Sequence, residues 1–451
     1  MFCSCPNNFG DTQNTNVCPV CLGFPGMLPM PNAKAIQYAY RIARALQCTL
    51  APTVQFDRKN YFYPDLPKNY QISQFHSPIG RNGVFGFLYN NTMRSLRIHE
   101  AHLEEDAGKL IHSSESSYCD YNRSGTPLME IVTEPELHSP EEAESMLRQF
   151  RRLVRYLAVC DGNMEEGSLR CDANVSINYP GKGLGVKVEI KNVNSFRFVR
   201  AALEYEIQRQ STVLTENKNI VQETRLWNEN RDITVSMRSK EQADDYRYFP
   251  EPDISPVTLG ADFFTALDEE GVELPSQRQL RLQKTYSLDH GLLDFFMEEK
   301  TAVDYLENVL SRGVDPKLVA TWATGDVKKL YNKHSLHFAS APLTPERFSS
   351  LLQLIQEGKL HGKMAKIVLE KIFEEDCDPE LLIEKYSLQE LPEEELLGII
   401  HAVLQQKAEA AKQYKDGNTK SFGFLMGAVM QASKGKANPS MVKKLLESQL
   451  M

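Results

Sequence analysis

Apolar residues between positions 139 and 157 recur with the period of an amphipathic helix. Ser139 can cap this helix, Pro140 suits its first position, and Glu142 can complete a capping box. The apolar stripe consists of Ala143, Met146, Leu147, Phe150, Val154 and Leu157. A second helix is predicted from Phe196 to about Leu214.

Two further segments alternate with the period of two that is typical of β-strands. Residues 169–177 and 186–191, joined by a glycine-rich link, predict a hairpin with one apolar face. The other face carries Arg170, Asp172, Asn174, Lys187, Glu189 and Lys191. A polar face of this kind is usually the hydrated side of a sheet. Asn192 and Asn194 extend it and favour a binding surface, so both interpretations stay open.

Helical periodicity replaces the strand signals after Pro275. Near the end of the chain, Gly435 can end one helix and Asn438-Pro439 can begin the next, with Lys434 and Lys436 at the turn. The apolar stripe before that turn is Phe422, Leu425, Met426, Val429 and Met430. We therefore predict an α+β fold in three domains: an N-terminal domain with an antiparallel sheet (1–275), an all-helical middle (276–390) and a small helical tail domain (391–451).

The composition is that of an ordinary water-soluble protein, with 451 residues, 41% hydrophobic and 25% charged. No apolar run approaches the roughly 20 residues that a membrane span needs. The N-terminal residues also lack the pattern of a signal peptide. These features predict a cytoplasmic enzyme or complex subunit that does not bind a membrane.

Charge is distributed unevenly along the chain, although the formal total is −9. From Phe373 to Leu396, ten acidic residues face one lysine, and from Lys407 to Met451, eight lysines face three acidic residues. An acidic chain with a basic tail is typical of a protein that binds nucleic acid at one end. A solvated surface helix explains the tail charge equally well.

Four of the nine cysteines cluster at the start of the chain as two tight pairs. Their residues are Cys3, Cys5, Cys18 and Cys21. Two thiol pairs across a short loop are what four-coordinate zinc requires. We predict a structural Zn²⁺ site that holds the N-terminal loop, and two pairs of free thiols are the alternative.

Carboxylates in two other segments could bind Mg²⁺. Glu105 belongs to a run of three adjacent acidic residues, and Glu130 sits in a segment whose two faces both look buried. A buried carboxylate is costly unless it is paired or ligates a metal. Together with Asp172, these two residues would offer the oxygen ligands that magnesium prefers. An exposed turn is the simpler explanation of the acidic run alone.

Basic and aromatic residues are mixed at residues 56–65 and again at residues 237–240 together with 245–250. Arginine and lysine suit phosphate groups, and aromatic rings suit bases. Arg238, Lys240 and Arg247, with Arg170, Lys187 and Lys191 of the predicted hairpin, are our candidates for binding a nucleotide. Core tyrosines with basic neighbours explain these segments almost as well.

Several catalytic signatures are absent from the sequence. It contains no phosphate-binding loop of the Walker type, no complete dinucleotide-binding glycine motif and no Gly-x-Ser-x-Gly nucleophile motif. No nucleophile–base pair is evident. The chain is therefore not expected to hydrolyse an amide itself.

Several long motifs resemble one family, the B subunits of the bacterial-type glutamyl/aspartyl-tRNA amidotransferases. They lie at residues 14–23, 56–65, 102–109, 122–128, 164–174, 245–253 and 434–439. The resemblance implies a cradle-shaped N-terminal domain that uses ATP and Mg²⁺ to phosphorylate the side-chain carboxylate of Glu-tRNA(Gln) or Asp-tRNA(Asn). It also implies a heterotrimer with a glutaminase A subunit, which supplies ammonia, and a small C subunit.

The same resemblance assigns roles to residues chosen above. The positions that match the family's magnesium and nucleotide site are Glu105, Glu130 and Asp172, and the four N-terminal cysteines match its zinc site. The helical tail resembles the region that holds the tRNA elbow. Family members normally begin upstream with a Gly-Leu-Glu-x-His strand, which this sequence lacks. We expect a misassigned start rather than a truncated chain, which would lose catalytic power.

Two other functions remain as hypotheses. A non-catalytic tRNA-binding platform of the same complex would follow if the upstream strand were truly missing. A magnesium-dependent phosphotransferase that acts on a small molecule would share the carboxylates but not need the basic tail.

Overall fold

The chain folds into two compact units, Met1–Arg278 and Gln279–Met451. In this computed structural model, the described residues are 1–113, 115–239, 246–269, 271, 273–338, 341–388, 391–415, 417–433 and 436–450. All described strands lie in the first unit, which confirms the predicted α+β class with a helical second half. The proposed boundary at residue 390 is not tested by this division and stays a prediction.

The main sheet of the first unit is antiparallel. In spatial order its strands are β1 (Thr49–Leu50), β5 (Gly80–Tyr89), β6 (Thr92–Glu105) and β9 (Pro127–Thr133). Asn90 and Asn91, at the β5–β6 turn, both have positive φ, which asparagine tolerates in tight hairpins. Further along β6, His99 is an extra residue between two strand pairs, Ile98–Thr133 and Glu100–Val132, and so forms a bulge.

A second sheet contains the hairpin predicted from the alternating segments. Its strands in spatial order are β10 (Ala173–Val175), β11 (Val188–Lys191), β12 (Glu223–Asn228) and β13 (Ile233–Ser239). Ala173 lies opposite Ile190 in an antiparallel pair, which confirms the hairpin, although both strands are shorter than predicted. The smaller pairings are β14 (Phe249–Pro250) with β3 (Asp57–Asn60) and β4 (Tyr70–Ser73), β15 (Val257–Thr258) with β2 (Thr53–Val54), and β7 (Lys109–His112) with β8 (Ser117–Asp120).

Both predicted helices of the first unit are present. Its helices are α1 (Ala33–Ala45), α2 (Pro140–Tyr156), α3 (Phe196–Thr215) and α4 (Ala261–Glu269). Ser139 caps α2 by accepting a hydrogen bond from the Glu142 backbone N–H at 3.1 Å. The Glu142 carboxylate in turn accepts from the backbone of His138, one residue before the cap. The apolar stripe of α2 packs against the main sheet and against α3.

Helices are the only regular secondary structure among the described residues of the second unit. Its helices, beginning with one that crosses the division between the units, are α5 (Pro275–Tyr286), α6 (His290–Phe296), α7 (Lys300–Leu310), α8 (Pro316–Trp322), α9 (Lys328–His334), α10 (Pro345–Gln356), α11 (Gly362–Glu375), α12 (Pro379–Lys385), α13 (Glu393–Gln406), α14 (Ala408–Lys415), α15 (Lys420–Ala432) and α16 (Pro439–Leu450). One turn of π-helix, Ala323–Val327, joins α8 to α9. None of the described helices is long and apolar enough to cross a membrane.

The last helices form the predicted helical hairpin. Leu425 and Val429 of α15 are fully buried in a cluster that draws only on residues 396–450. The tail therefore has a small core of its own. Lys434 and Gly435, predicted at the turn, lie outside the described residues.

A buried ion network fastens α3 to the second sheet, and it gives a stability prediction. Glu206 is fully buried, and its carboxylate pairs with Arg209 and Arg225 and accepts a hydrogen bond from Thr234 at 3.0 Å. Glu206→Ala leaves two arginines short of a partner and should cost about 3–5 kcal/mol of unfolding free energy. Urea unfolding followed by circular dichroism measures this loss.

The control is Glu204→Ala on the same helix. Its carboxylate also pairs with an arginine, Arg200, but both side chains are nearly half exposed. An exposed pair contributes at most about 1 kcal/mol. Equal losses from the two substitutions would show that the buried network does not stabilise the sheet.

Candidate functional site

Three side chains that can bind a cation meet on one face of the main sheet. His102 on β6 lies directly opposite Glu130 on β9, and Glu104 is two residues further along β6. Side chains two residues apart on a strand share a face. The ligand atoms of all three lie within 4.8 Å of one another. We call His102, Glu104 and Glu130 the carboxylate cluster.

Burial differs within the carboxylate cluster. His102 and Glu104 are buried, whereas half of the Glu130 side chain is exposed, so the prediction that Glu130 is buried was wrong. Burial raises the pKa of Glu104, and the nearby Glu130 raises it further, although Lys59 opposes the shift. Burial would lower the pKa of His102, but Glu100, Glu130 and Glu104 outweigh it and raise this pKa.

The spacing of the carboxylate cluster suits a bridging cation better than direct hydrogen bonds. The Nε2 atom of His102 is 3.7 Å from a Glu130 oxygen and 3.9 Å from a Glu104 oxygen. Its buried Nδ1 lies 3.6 Å from a Glu100 oxygen, slightly beyond hydrogen-bond distance. Two carboxylates and an imidazole that converge without bonding one another leave ligand atoms for a divalent ion.

Glu105 points away from this cluster. Successive side chains of a strand face opposite sides, so Glu105 shares its face with Leu103 of the core. Its carboxylate pairs with Lys68 and accepts a hydrogen bond from the Ile72 backbone at 2.9 Å. The structure thus does not bring Glu105 and Glu130 together, and Glu104 takes the place expected for Glu105.

The predicted residues of the hairpin are divided between two ion pairs. Asp172 is not part of the carboxylate cluster, and its carboxylate lies 3.1 Å from the Lys191 ammonium. Burial would lower the pKa of Lys191, but Asp172 and Glu189 outweigh this and raise it. Arg170 reaches the first sheet instead and binds the buried Asp106 at 2.8 Å. Lys187 is exposed.

The three basic residues after β12 that we predicted to bind a nucleotide are only partly described by the structure. Arg238, on β13, pairs through its backbone with Thr224 of β12, and its side chain is not described. Lys240 lies outside the described residues. Arg247 is exposed, and its carbonyl accepts a hydrogen bond from Asn60 at 2.8 Å.

Lys59 and a group of aromatic rings border the carboxylate cluster. The Lys59 ammonium lies 5.1 Å from the centre of the Tyr246 ring and 5.9 Å from that of Tyr61. Its positive charge acts to lower the pKa of Glu104, against the effect of burial. A hydrogen bond of 3.2 Å from Ser73 to Glu104 joins the end of β4 to the same place. The site thus combines carboxylates that could bind a metal, the Lys59 ammonium and aromatic rings.

The four N-terminal cysteines come together as predicted. Their sulfur atoms lie within 4.8 Å of one another, and Cys18 and Cys21 are 3.7 Å apart. Tetrahedral zinc with bonds of about 2.3 Å needs sulfurs roughly 3.8 Å apart. Burial raises the pKa of Cys5 and that of Cys21. Burial also tends to raise the pKa of Cys18, but hydrogen bonds from the Cys21 and Val20 backbone outweigh burial and lower this pKa to about 7.

The loop that carries these cysteines, residues 3–21, is fastened to the turn that follows β8. Asn14 and Asn16 exchange hydrogen bonds with residues 119–122, and Ser124 donates to the carbonyl of Cys21. In that turn, Arg123 donates to the carbonyls of residues 107 and 108 and lies 3.4 Å from Asp106. The cysteine loop therefore supports the segment that anchors Arg170.

Sequence reasoning missed His102 and Glu104, although a signal for both was present. Residues 102–105 alternate, so His102 and Glu104 must share one face, with Leu103 and Glu105 on the other. We treated the adjacent acids as one run and did not apply this alternation. Pairing with the strand that holds Glu130 would then have selected Glu104.

Comparison with known proteins agrees with the motifs. Residues 1–265 match the family described as GatB/GatE catalytic domain, and residues 304–450 match the GatB domain. The relative from Thermodesulfovibrio yellowstonii is 44% identical over 99% of this chain and 94% of its own length. The one from Moorella thermoacetica is 44% identical over 100% and 96%. Both are named as the B subunit of aspartyl/glutamyl-tRNA(Asn/Gln) amidotransferase, and this chain belongs to that family.

Proposed function

We propose that this chain amidates Glu-tRNA(Gln), Asp-tRNA(Asn) or both in an ATP-dependent reaction. It would be the ligase subunit of a cytoplasmic heterotrimer with a glutaminase A subunit and a small C subunit. The observation that carries the proposal is the carboxylate cluster, which lies beside Lys59 in a chain whose relatives are named for this reaction.

The chemistry explains why a metal and ATP are needed. A carboxylate is a poor acceptor for ammonia because neither oxygen can leave as a stable group. Transfer of the γ-phosphoryl group to one carboxylate oxygen forms an acyl phosphate, a mixed anhydride, and releases ADP. Ammonia then forms the C–N bond, the C–O bond to phosphate breaks, and the nitrogen loses a proton. Bound Mg²⁺ would neutralise phosphate charge during the first step.

The residues of this chain have distinct tasks in the proposal. His102, Glu104 and Glu130 would hold Mg²⁺, replacing Glu105 of the sequence prediction. Lys59 would attract phosphate oxygens, since its positive charge acts on Glu104 and its ammonium lies against the Tyr246 ring. Asp172 and Lys191 form a half-exposed pair that could orient the substrate. Cys3, Cys5, Cys18 and Cys21 would bind a structural zinc.

The direct test is an amidation assay with this chain co-expressed with its A and C partners. Glu-tRNA(Gln) and Asp-tRNA(Asn) are each incubated with glutamine, with and without ATP. We expect amide formation that requires ATP and Mg²⁺. ATP-independent binding of tRNA without amidation would favour the platform hypothesis. Phosphorylation of small carboxylates without tRNA would favour the phosphotransferase.

The tail is proposed to bind the tRNA backbone. Lys443 and Lys444 are exposed on α16, and Lys436 precedes that helix. Each lysine that contacts a phosphate releases a counterion, which makes affinity depend on salt. Replacing the three by glutamine should lower the slope of log affinity against log salt by roughly 2–3.

Filter binding of tRNA from low to moderate salt measures this slope. The matched control replaces Lys284, Lys317 and Lys333, which are exposed outside the tail, and so makes the same change in net charge. If both triple variants change the slope equally, the tail is a solvated surface rather than a binding site.

A further inference from the structure

A stacked pair of aromatic rings, of which Phe75 is exposed and Tyr248 partly buried, lies near the carboxylate cluster. Phe75 and Tyr248 are nearly parallel, with ring centres 4.2 Å apart and an interplanar angle of 11°. Phe75 follows by two residues Ser73, which hydrogen-bonds Glu104. Burial raises the pKa of Tyr248, and the charges of the Glu104 and Glu130 carboxylates raise it further. We call Phe75 and Tyr248 the aromatic platform.

The position of Phe75 is fixed by the backbone rather than by a hydrophobic core. Its N–H and that of His76 both donate to the fully buried Asp57, at 2.8 Å and 2.9 Å. His76 also binds Asp57 through its ring. A loop held at three points does not need an apolar side chain at its surface. The backbone of this loop is therefore held in place independently of the Phe75 ring.

Phe75 keeps a large exposed surface although its ring is stacked on Tyr248. One face of its ring covers Tyr248, yet 54% of the residue remains exposed. The other neighbouring rings are steeply inclined to the pair: His76 lies at 90° to Phe75 and Tyr246 at 75° to Tyr248. The exposed part of Phe75 is the surface that a planar ligand ring would contact.

We propose that Phe75 stacks on the adenine ring of ATP, with Tyr248 supporting it from behind. This inference rests on the proposed function. If the phosphates of ATP bind at the carboxylate cluster and Lys59, the adenine ring lies about the length of one ribose beyond them. The aromatic platform, which is near the cluster but not part of it, suits that position. Stacking on an aromatic side chain is a common way to hold a base.

The test separates the base from the phosphates. ATP binding to the co-expressed complex is measured by equilibrium dialysis with Mg²⁺ and without tRNA, and inorganic tripolyphosphate serves as a probe that lacks a base. Phe75→Ala should weaken ATP binding about tenfold and leave tripolyphosphate binding unchanged. Phe75→Trp should restore ATP affinity. The control Phe24→Ala removes an equally exposed ring, also 54%, and should change neither.

Three results would overturn the platform. One is unchanged ATP affinity in Phe75→Ala. Another is an equal loss for tripolyphosphate, which would mean that the variant disturbs the phosphate site. The third is a higher KM for aminoacylated tRNA with an unchanged KM for ATP, which would assign the platform to the terminal adenosine of tRNA. In each case, ATP-dependent amidation by the wild type would leave the proposed function standing.

Discussion

Glu104→Gln should lower the kcat of ATP-dependent amidation at least about 100-fold, because the amide removes one negative ligand from the proposed metal site and several kcal/mol of charge stabilisation with it. The substitution keeps the size of the side chain and the hydrogen bond from Ser73. Folding and tRNA binding should therefore persist. Single-turnover amidation at saturating ATP, with tRNA binding measured in parallel, gives the result.

Glu105→Gln is the matched control, since it changes the next carboxylate on the same strand. Its side chain faces Lys68 rather than the carboxylate cluster. We expect a loss of about 3 kcal/mol in unfolding free energy from the broken buried pair, with kcat per folded molecule nearly unchanged. If Glu105→Gln abolishes turnover and Glu104→Gln does not, the original sequence prediction is right and the cluster assignment is wrong.

Removing zinc should destabilise the first unit strongly. Structural zinc sites in small domains contribute on the order of 10 kcal/mol to folding, and here the cysteine loop is fastened to the turn that carries Arg123. Purified protein should contain one zinc per chain. A chelator should lower its Tm by about 2–4 °C for each kcal/mol lost. Amidation should fall at the same time, because Arg123 and the Asp106 that it helps to hold lose support.

Cys18→Ser should reproduce the effect of the chelator, whereas Cys377→Ser should not. Cys377 is a free thiol in the second unit and is partly buried like Cys18. Metal content measured by atomic absorption, together with Tm, distinguishes the two variants. Protein that carries no zinc and is indifferent to chelator would instead support the alternative of two free thiol pairs.

Local sequence patterns were sufficient for much of the fold. The cap and stripe of α2 predicted its first residue, and alternation predicted the pairing of β10 with β11. Both features depend on neighbours in sequence. The extent of β10 and β11 was overestimated because alternation continues into loops, where the strand ends depend on which backbone partners are available.

The candidate site was harder because its parts meet through strand register. The spacing of the four N-terminal cysteines in the sequence was enough to predict that they cluster, and their sulfur atoms lie together in the structure. The choice between Glu104 and Glu105 depends on which face of β6 turns inward, and the position of Asp172 depends on how two sheets are arranged. The aromatic platform joins Phe75 to Tyr248 across more than 170 residues of sequence, a distance that no short motif can span.

Because of the bulge at His99, β6 cannot gain or lose a residue near its middle without changing which way its side chains face. Deleting His99 would make the strand regular, so one of its halves would turn every side chain to the opposite face. Either the core residues before the bulge or the residues from His102 to Glu105 would then be misplaced. Evolution can exchange single side chains along β6, but gains or losses of one residue should be confined to its open end, near Asn90 and Asn91.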